Sequence, residues 1–546
     1  MAKMYFPQYA RGRDGIDLVV GESILQHIRR IGGVEIDSEC GGQGTCGKDV
    51  IRVDQGPECL SPLSPTEKAF VDKGQLKANQ RLACQAIVDE AAHDIRIFIP
   101  DFGRYTILTE SVETPVDLNP AVFRKGDRVL YHTGEDLGRY QGGILGLAID
   151  VGTTTIVLQL VDLETGENVG KPMASKNPQI AYGNDVISRT GYTMEHEDGL
   201  RELKEAVIDG VNQTVHALAQ QLEGQRANVA RDIYDVVVVG NSTMRSIFFG
   251  QNVHDLGLIP FEPASNSALT RKAHPLGLEV HREAMVYGPS LIGGHAGADC
   301  LADIIATGLY ESPDIDMIVD IGTNGEVVIG NRDRIMTASC AAGGAYEGYQ
   351  LRCGVGAIEG AITEIQLNDG RATYKTLGDK PALGLCGSGM IDLLAELLKN
   401  DVLDQRARIE QDFRITDSVS MCQEDINHLI IAKAGLRTDQ DLLLKYFGVT
   451  LDEVARVYLA GAFGNFMNID NAMAIGLLPK TNPERFVRFG NGALAGARAM
   501  LLSQQKRRDA EALSTSIEHT KPNEIEGTEF QYIVAANMYF ADPVAP

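Results

Sequence analysis

The sequence predicts a multidomain protein of mixed α/β and α+β class: a small N-terminal unit, a short connecting segment, and a large α/β body of two similar lobes. Three observations lead there. The chain has 546 residues, more than one hydrophobic core serves. A glycine-rich loop with two close cysteines lies within the first hundred residues. From Leu145 onward, apolar strands run into glycine turns with amphipathic helices between them, and one hairpin-then-turn pattern occurs twice.

Composition narrows the function classes. Lys and Arg total 50 and Asp and Glu 74, a net charge of −24. That balance argues against a nucleic-acid groove, which needs a basic face, and against an anionic membrane surface. No apolar run reaches the roughly 18 residues of a membrane span. The start, Met1 to Gln8, lacks the apolar core of a signal peptide, so a cytoplasmic location is expected. In a reducing cytoplasm the nine cysteines are expected as thiols, with Cys40, Cys46 and Cys84 forming a ligand cluster. The others, Cys59, Cys300, Cys340, Cys353, Cys386 and Cys422, read as small buried hydrophobes.

Along the chain, residues 1–100 form the first unit. Glu22 to Ile31 places Ile24, Leu25, Ile28 and Ile31 on one helical face, and Gly32-Gly33 stops the helix. Val34 to Ile36 alternates like a short strand, and strand character resumes at Val50 to Val53 after the cysteine loop. Residues 101–143 are turn-rich and read as a linker domain. Residues 144–310 and 311–546 are expected as the two lobes. Asp150-Val151-Gly152-Thr153 and Asp320-Ile321-Gly322-Thr323 are matched strand-turn starts. Val236 to Val239 before Gly240-Asn241 and Val457 to Ala460 before Gly461-Ala462 follow them as matched strand-turns. Two halves facing each other across a cleft produce that order. The polar stretch Gln504 to Thr528 is expected as a surface helix and loop before a packed segment, Phe530 to Phe540.

The cysteine loop runs from Cys40 through Gly41-Gly42-Gln43-Gly44-Thr45 to Cys46 and on to Asp49, with Cys84 far behind. Short gaps followed by a long one make the plant-type 2Fe–2S pattern. The glycines let backbone curl around inorganic sulfide and offer N–H groups to it. Five residues separate the first two cysteines instead of the plant-type four, and Asp49 stands where a third cysteine is usual. Three readings stay open at this point: Asp49 ligates iron, Cys59 completes the set, or the cluster is lost or replaced by zinc. Zinc sites prefer a second close cysteine pair, which is missing. Gly42, Gly44 and Gly47 also match G-x-G-x-x-G, but a dinucleotide fingerprint must open a helix after a strand, and this loop leads into a strand.

The strand-turns carry the second chemistry. Backbone N–H groups and hydroxyls of Gly152, Thr153, Thr154 and Thr155 suit phosphate oxygens, and Asp150 at the strand end suits Mg²⁺ or a water. Asp320, Gly322, Thr323 and Asn324 repeat the device, and Gly387-Ser388-Gly389 is a third turn. Gly461, Ala462 and Phe463 are expected at the adenosine. Asp185 and Asp299 are expected to position the attacking water, with capping as the competing role. No G-x-x-x-x-G-K-[ST] occurs, which excludes a P-loop enzyme.

These motifs resemble those of the actin/Hsp70/sugar-kinase ATPases. With the cysteine loop, Asn177 to Val186 and Ala341 to Gly348, the whole chain from about residue 15 to about 540 resembles the reductive activators of corrinoid proteins. The resemblance implies a β-grasp ferredoxin-like domain, a two-lobed ATPase, a 2Fe–2S cluster, ATP and Mg²⁺. It implies an enzyme that passes one electron from a low-potential donor to the Co(II) corrinoid of a methyltransferase system, giving Co(I), and it suggests a homodimer. Asp49 departs from the ligand cysteine that the family's ferredoxin domain is expected to carry. A small-molecule kinase with an appended ferredoxin-like domain and an ATP-gated sensor are the competing readings.

Overall fold

The computed structural model describes residues 2–6, 14–31, 36, 38, 40–72, 76, 79–99, 115–222, 226, 228–340, 343–348, 351–368, 370–461 and 466–540. Within the first hundred residues five strands form one mixed sheet. Lys3–Tyr5 pairs antiparallel with Ile16–Asp17 and parallel with Ile95–Phe98. Ile95–Phe98 continues antiparallel to Val50–Gln55, and that strand to Gln80–Leu82. A helix, Ile24–Ile31, crosses this β-grasp sheet and packs Ile24, Leu25 and Ile28 against Met4, Ile51, Ile95 and Ile97. Its start is a capping box, with Gln26 N–H donating to Ser23 Oγ (3.2 Å) and Ser23 N–H to Gln26 Oε1 (2.7 Å). The expected stop at Gly32-Gly33 and the strand at Val34–Glu35 lie outside the described residues. From residue 115 the connecting segment is a three-stranded antiparallel meander, Val122–Lys125, Arg128–Tyr131 and Asp136–Arg139.

The two lobes are built on matching sheets. In the first, the hairpin Leu145–Val151/Thr155–Asp162 is joined by Ile233–Val239, parallel to the hairpin's first strand. In the second, Asp316–Ile321/Gly325–Gly330 is joined in the same way by Arg456–Ala460. The registers agree at the functional end: Asp150 lies opposite Val157 and Val239, and Asp320 opposite Glu326 and Ala460. Ile233–Val239 is buried throughout, which explains the apolar run Val236 to Val239 that ends it: strands covered on both faces lose polar alternation.

The helices Ala298–Thr307 and Gly492–Leu502 pack face to face between the sheets. Gly496 permits this, since a Cβ there would overlap the Ala302 carbonyl. The polar stretch after Gln504 forms the expected surface helix, but one face of it is buried. Its helix, Gln504–Ser516, buries Arg507, which donates from Nη2 to Asp235 Oδ2 (2.6 Å), from Nε to the Met500 carbonyl (2.8 Å) and from Nη1 to the Tyr131 hydroxyl (3.3 Å). One guanidinium thereby ties the meander, the first lobe and the C-terminal helix together. Charge content of the segment hid this, because the partners come from elsewhere in the fold. Burial pushes Asp235 up to about 6 in spite of the arginine. Breaking a buried pair strands the remaining charge, so Arg507→Ala is expected to destabilise the protein by about 3–5 kcal/mol, read as a lower urea midpoint.

Candidate functional site

The first site is the cysteine loop. Gly47 (φ +65°) turns the chain where a side chain would collide with Phe70. The loop brings the Cys46 and Cys40 sulfurs to 3.3 Å. The Cys46 hydrogen bond, opposed by burial and then helped by the N–H groups of Cys46, Gly42 and Thr45, brings Cys40 down to about 4. The distal donor is held by a buried brace: Arg81 Nε and Nη2 donate to Glu67 (2.7 and 3.0 Å), and Glu67 also accepts the Leu82 N–H (3.0 Å), two residues before Cys84. Asp49 is fully buried and its Oδ2 accepts the Cys84 N–H at 2.6 Å. Its Oδ1 is buried with no partner. Burial raises the Asp49 carboxyl, and the Cys84 hydrogen bonds oppose that. Burial, then the neighbouring Asp49 charge, raises the Cys84 thiol.

This arrangement fits an iron–sulfur cluster. The donors form two pairs, Cys40 with Cys46 and Asp49 with Cys84, and among the described residues no group of three or more His, Cys, Asp or Glu is placed for a single ion. A two-iron cluster wants two pairs; a tetrahedral zinc wants one tight group. The unpartnered Oδ1 is a buried acceptor, which fits a site that takes a metal ion. Cys59 is turned into the core, where its thiol faces the His93 carbonyl (3.8 Å) among Leu60, Val88 and Ile95.

The second site is a cavity of about 360 Å³ between the lobes. Its lining includes Asp150, Gly152, Thr153, Thr154, Thr155, Asp299, Asp320, Gly322, Thr323, Asn324, Gly387, Ser388 and Gly461. Gly389 is not in the lining; it packs at the start of helix Gly387–Lys399 against the Ile362 carbonyl. Asp185 is not in it either. It caps helix Val186–Glu195 by accepting the Ser188 N–H at 2.7 Å, the competing role foreseen for it. Ala462 and Phe463 lie outside the described residues; the aromatic at this edge of the cavity is Phe466.

The cavity floor is carboxylate-rich. Burial, relieved by the Asn491 amide donating to Oδ2 (2.9 Å) and worsened by Asp320, pushes Asp150 up to about 7. Burial likewise pushes Asp299 to about 7 and Asp320 to about 6. Glu326 lines the same floor and is driven well above the usual range by burial and then by Asp299 and Asp320. Gly461 (φ +84°) leaves room for Asp320, since a Cβ there would lie 2.6 Å from its Oδ1. Glu347 joins the turns across the cleft: its Oε2 accepts Thr154 Oγ1 (3.1 Å) and Thr323 Oγ1 (2.7 Å). The N-terminus of helix Gly387–Lys399 adds a positive dipole end.

The sequence reading did not single out Glu347, Glu326, Asn241, Asn491 or Phe466. Asn241 and Asn491 share a signal, a Gly-Asn pair ending an apolar strand. Each caps the next helix, and each turns its amide to a phosphate-turn residue, Thr153 (2.9 Å) and Asp150 respectively.

The fold and both sites define a class: a two-lobed ATPase of the actin/Hsp70/sugar-kinase type joined to a plant-type iron–sulfur domain. Comparison with known proteins agrees. Residues 314–543 match the family model described as the C-terminal domain of RACo, the ASKHA domain; residues 145–312 match the RACo middle region; residues 12–89 match the 2Fe-2S iron-sulfur cluster binding domain. The chain is 29% identical over 547 residues to the corrinoid activation enzyme RamQ of Eubacterium limosum, covering 89% of this chain and 91% of that one. It is 25% identical over 418 residues to a Co(II) methylated amine-specific corrinoid protein reductase of Methanosarcina barkeri, covering 68% and 72%. A solved structure titled reductive activator for corrinoid,iron-sulfur protein matches with a TM-score of 0.71 and 26% identity, over 99% of this chain and 98% of that one. Over residues 145–312 and 314–543 the chain is thus similar to RACo, and over nearly its whole length to a reductive activator for corrinoid,iron-sulfur protein.

Two outcomes follow from the site. Asp150, Asp299 and Asp320 hold protons in the folded state that they lose when unfolded near pH 4, so their stabilisation is complete below that pH and is lost as pH rises through 6–7. The urea midpoint of the nucleotide-free protein is therefore expected to fall between pH 5 and pH 8, and Asp150→Asn to flatten that slope. Separately, Asp49→Ala is expected to abolish most of the visible iron–sulfur absorption of anaerobically purified protein, while Asp49→Cys keeps it; an intact spectrum in the alanine variant removes Asp49 from the ligand set.

Proposed function

We propose that this chain uses ATP to drive the reduction of a partner's corrinoid from Co(II) to Co(I), restoring it for corrinoid-dependent methyl transfer. The observation that carries the reading is the union, in one polypeptide, of a paired Cys/Asp donor set with a cleft closed by two matched phosphate turns.

Cys40, Cys46, Cys84 and Asp49 would hold the 2Fe–2S cluster, which when bound supplies a one-electron reservoir at low potential. A carboxylate is a harder donor than thiolate, which sets this site apart from an all-cysteine one. At the other site, the Gly152–Thr155 and Gly322–Asn324 turns grip the β- and γ-phosphates, and the dipole of helix Gly387–Lys399 supports them. Among the described residues the lining contains Asp150, Asp299, Asp320, Glu326, Glu347 and Glu364 and no Lys, Arg or His. An anionic nucleotide enters such a cavity only together with a cation, and an all-oxygen donor set suits Mg²⁺. Asp150 and Asp320, at equivalent strand ends, are its positioning residues, and Asp299 lies beside both to orient water.

Glu347 accepts hydrogen bonds from both phosphate-turn threonines, so a phosphate bonded to those hydroxyls competes with that carboxylate. The lobes thereby present different contacts with and without nucleotide, which is the differential binding that coupling requires. The substrate is the partner's Co(II), which gains one electron that a low-potential donor ultimately provides. A cytoplasmic setting is in keeping with nine cysteines that are all free thiols. Among the described residues no helix is long and apolar enough to cross a membrane.

The test mixes the purified protein with a Co(II) corrinoid protein, Mg²⁺–ATP and a chemical reductant under anaerobic conditions. Co(I) absorbance is expected with ATP and to be at least tenfold slower with ADP or without Mg²⁺. Equal rates in all three mixtures would remove ATP from the reduction. ATP use that depends on a small-molecule acceptor would favour the kinase.

A further inference from the structure

Among the described residues, a half-buried guanidinium joins the iron–sulfur domain to the ATPase body. Arg29, on helix Ile24–Ile31, donates from Nε to the Ala181 carbonyl (2.8 Å) and from Nη2 to the Gly41 carbonyl (3.1 Å). Its guanidinium carbon lies 5.1 Å from the ring centroids of both Tyr182 and Tyr192. The Tyr182 hydroxyl returns a hydrogen bond to the Arg29 carbonyl (3.3 Å). Gly41 immediately follows the ligand Cys40. A Cβ on Gly42 would lie 3.9 Å from Arg29 Nη2 and 3.8 Å from Cys84 Cβ, so the guanidinium stands beside both halves of the donor set.

The other end of this contact leads to the nucleotide turn. Ala181 and Tyr182 close the short turn that begins at Asn177. Asn177 N–H donates to the Thr154 carbonyl (2.7 Å), and its Nδ2 to the Gly152 carbonyl (2.9 Å). Arg189 makes a second connection, donating to the Thr153 carbonyl (2.6 Å), Gln179 Oε1 (3.0 Å) and the Gly183 carbonyl (2.8 Å). All these groups are buried or half-buried, where a hydrogen bond cannot be exchanged cheaply for water. The Gly152 and Thr154 carbonyls are thus held by Asn177 of the segment that meets Arg29, and the Thr153 carbonyl by Arg189, which is itself tied to that segment at Gln179 and Gly183.

We infer that Asn177–Gly183 and Arg29 form the link through which nucleotide in the 152–155 turn is felt at the cysteine loop, with Arg29 as the positioning residue that fixes the loop's orientation on the ATPase body. Nucleotide that shifts the turn moves the Asn177 and Arg189 acceptors, the segment carries the Ala181 carbonyl with it, and Arg29 passes that displacement to Gly41. Coupling between two binding sites is reciprocal, so a change in the loop alters nucleotide affinity by the same factor. This deepens the proposed function: it says by which contacts ATP reaches the electron-transfer domain.

Backbone hydrogen exchange reads the link directly, with the full-length protein and a non-hydrolysable ATP analogue as the probe. In the unaltered protein the analogue is expected to slow exchange at residues 150–155 and to change it at least fivefold at residues 40–47. In Arg29→Ala the protection at 150–155 and the basal ATPase rate remain, while the change at 40–47 disappears. Arg29→Lys, which keeps the charge and one donor direction, restores part of it. Asn177→Ala leaves the Arg29 contact intact and is expected to lose the same long-range change, which covers the case in which Arg29→Ala loosens the small domain as a whole. No response at 40–47 in the unaltered protein, or an undiminished response in both alanine variants, overturns the link. Failure of corrinoid reduction with the exchange pattern intact sinks the proposed function and leaves the link standing; the reverse result sinks only the link.

Discussion

The close approach of two helices, Ala298–Thr307 and Gly492–Leu502, is the constraint on which the nucleotide cleft depends. Gly496 lets the two backbones meet at Ala302, and no larger residue fits there. That contact fixes where the helices begin and so places Asp299 and Asn491, one from each lobe, among the carboxylates that close the two hairpins. Loosening the contact would separate the hairpins, and the matched registers of Asp150 and Asp320 would then serve two half-sites instead of one.

The cleft is held in tension by its own chemistry. Buried carboxylates repel one another, and the protein meets this by raising their proton affinity and by spending amide donors such as Asn491 on them. Glu347 closes the gap with hydroxyls from both lobes. Burial raises the proton affinity of these carboxylates, so a cation arriving with an anionic ligand competes with protons for them. The same logic governs the cysteine loop, where the Asp49 carboxylate is buried with one oxygen left over. Both sites are therefore built around charge that the polypeptide does not itself balance.

Between them runs a polar seam. Arg29 binds a backbone carbonyl on each side, Ala181 and Gly41, while Asn177 and Arg189 hold the carbonyls of the 152–154 turn within the first lobe. Directional bonds transmit position, whereas apolar surfaces slide; a seam of carbonyl acceptors gives the small domain one orientation on the first lobe. Arg507 does comparable work at the far side, joining Asp235 and Tyr131 through a single buried group.

Much was legible from residues in order. The cysteine spacing pointed to a cluster loop, and the repeated Asp-x-Gly-Thr hairpins to paired turns that the fold brings to one cavity, because such sites need neighbouring residues on one tight turn. The strand order, the helix at Ile24–Ile31 and the family resemblance followed from the same local patterns. Residues whose role comes from distance were not legible. Glu347 meets Thr154 across 193 positions, Asn491 meets Asp150 across 341, and Arg29 meets Ala181 across 152. The choice between Asp49 and Cys59 was undecidable by spacing alone. In the fold the Cys59 thiol faces the His93 carbonyl in the core, and the Asp49 carboxylate accepts the Cys84 N–H, which is why Asp49 is the ligand we propose. Short-range pattern determined what each turn can bind. Only tertiary packing decided which turns share a site, because long-range contacts depend on where sheets and helices come to rest, and no single segment encodes that.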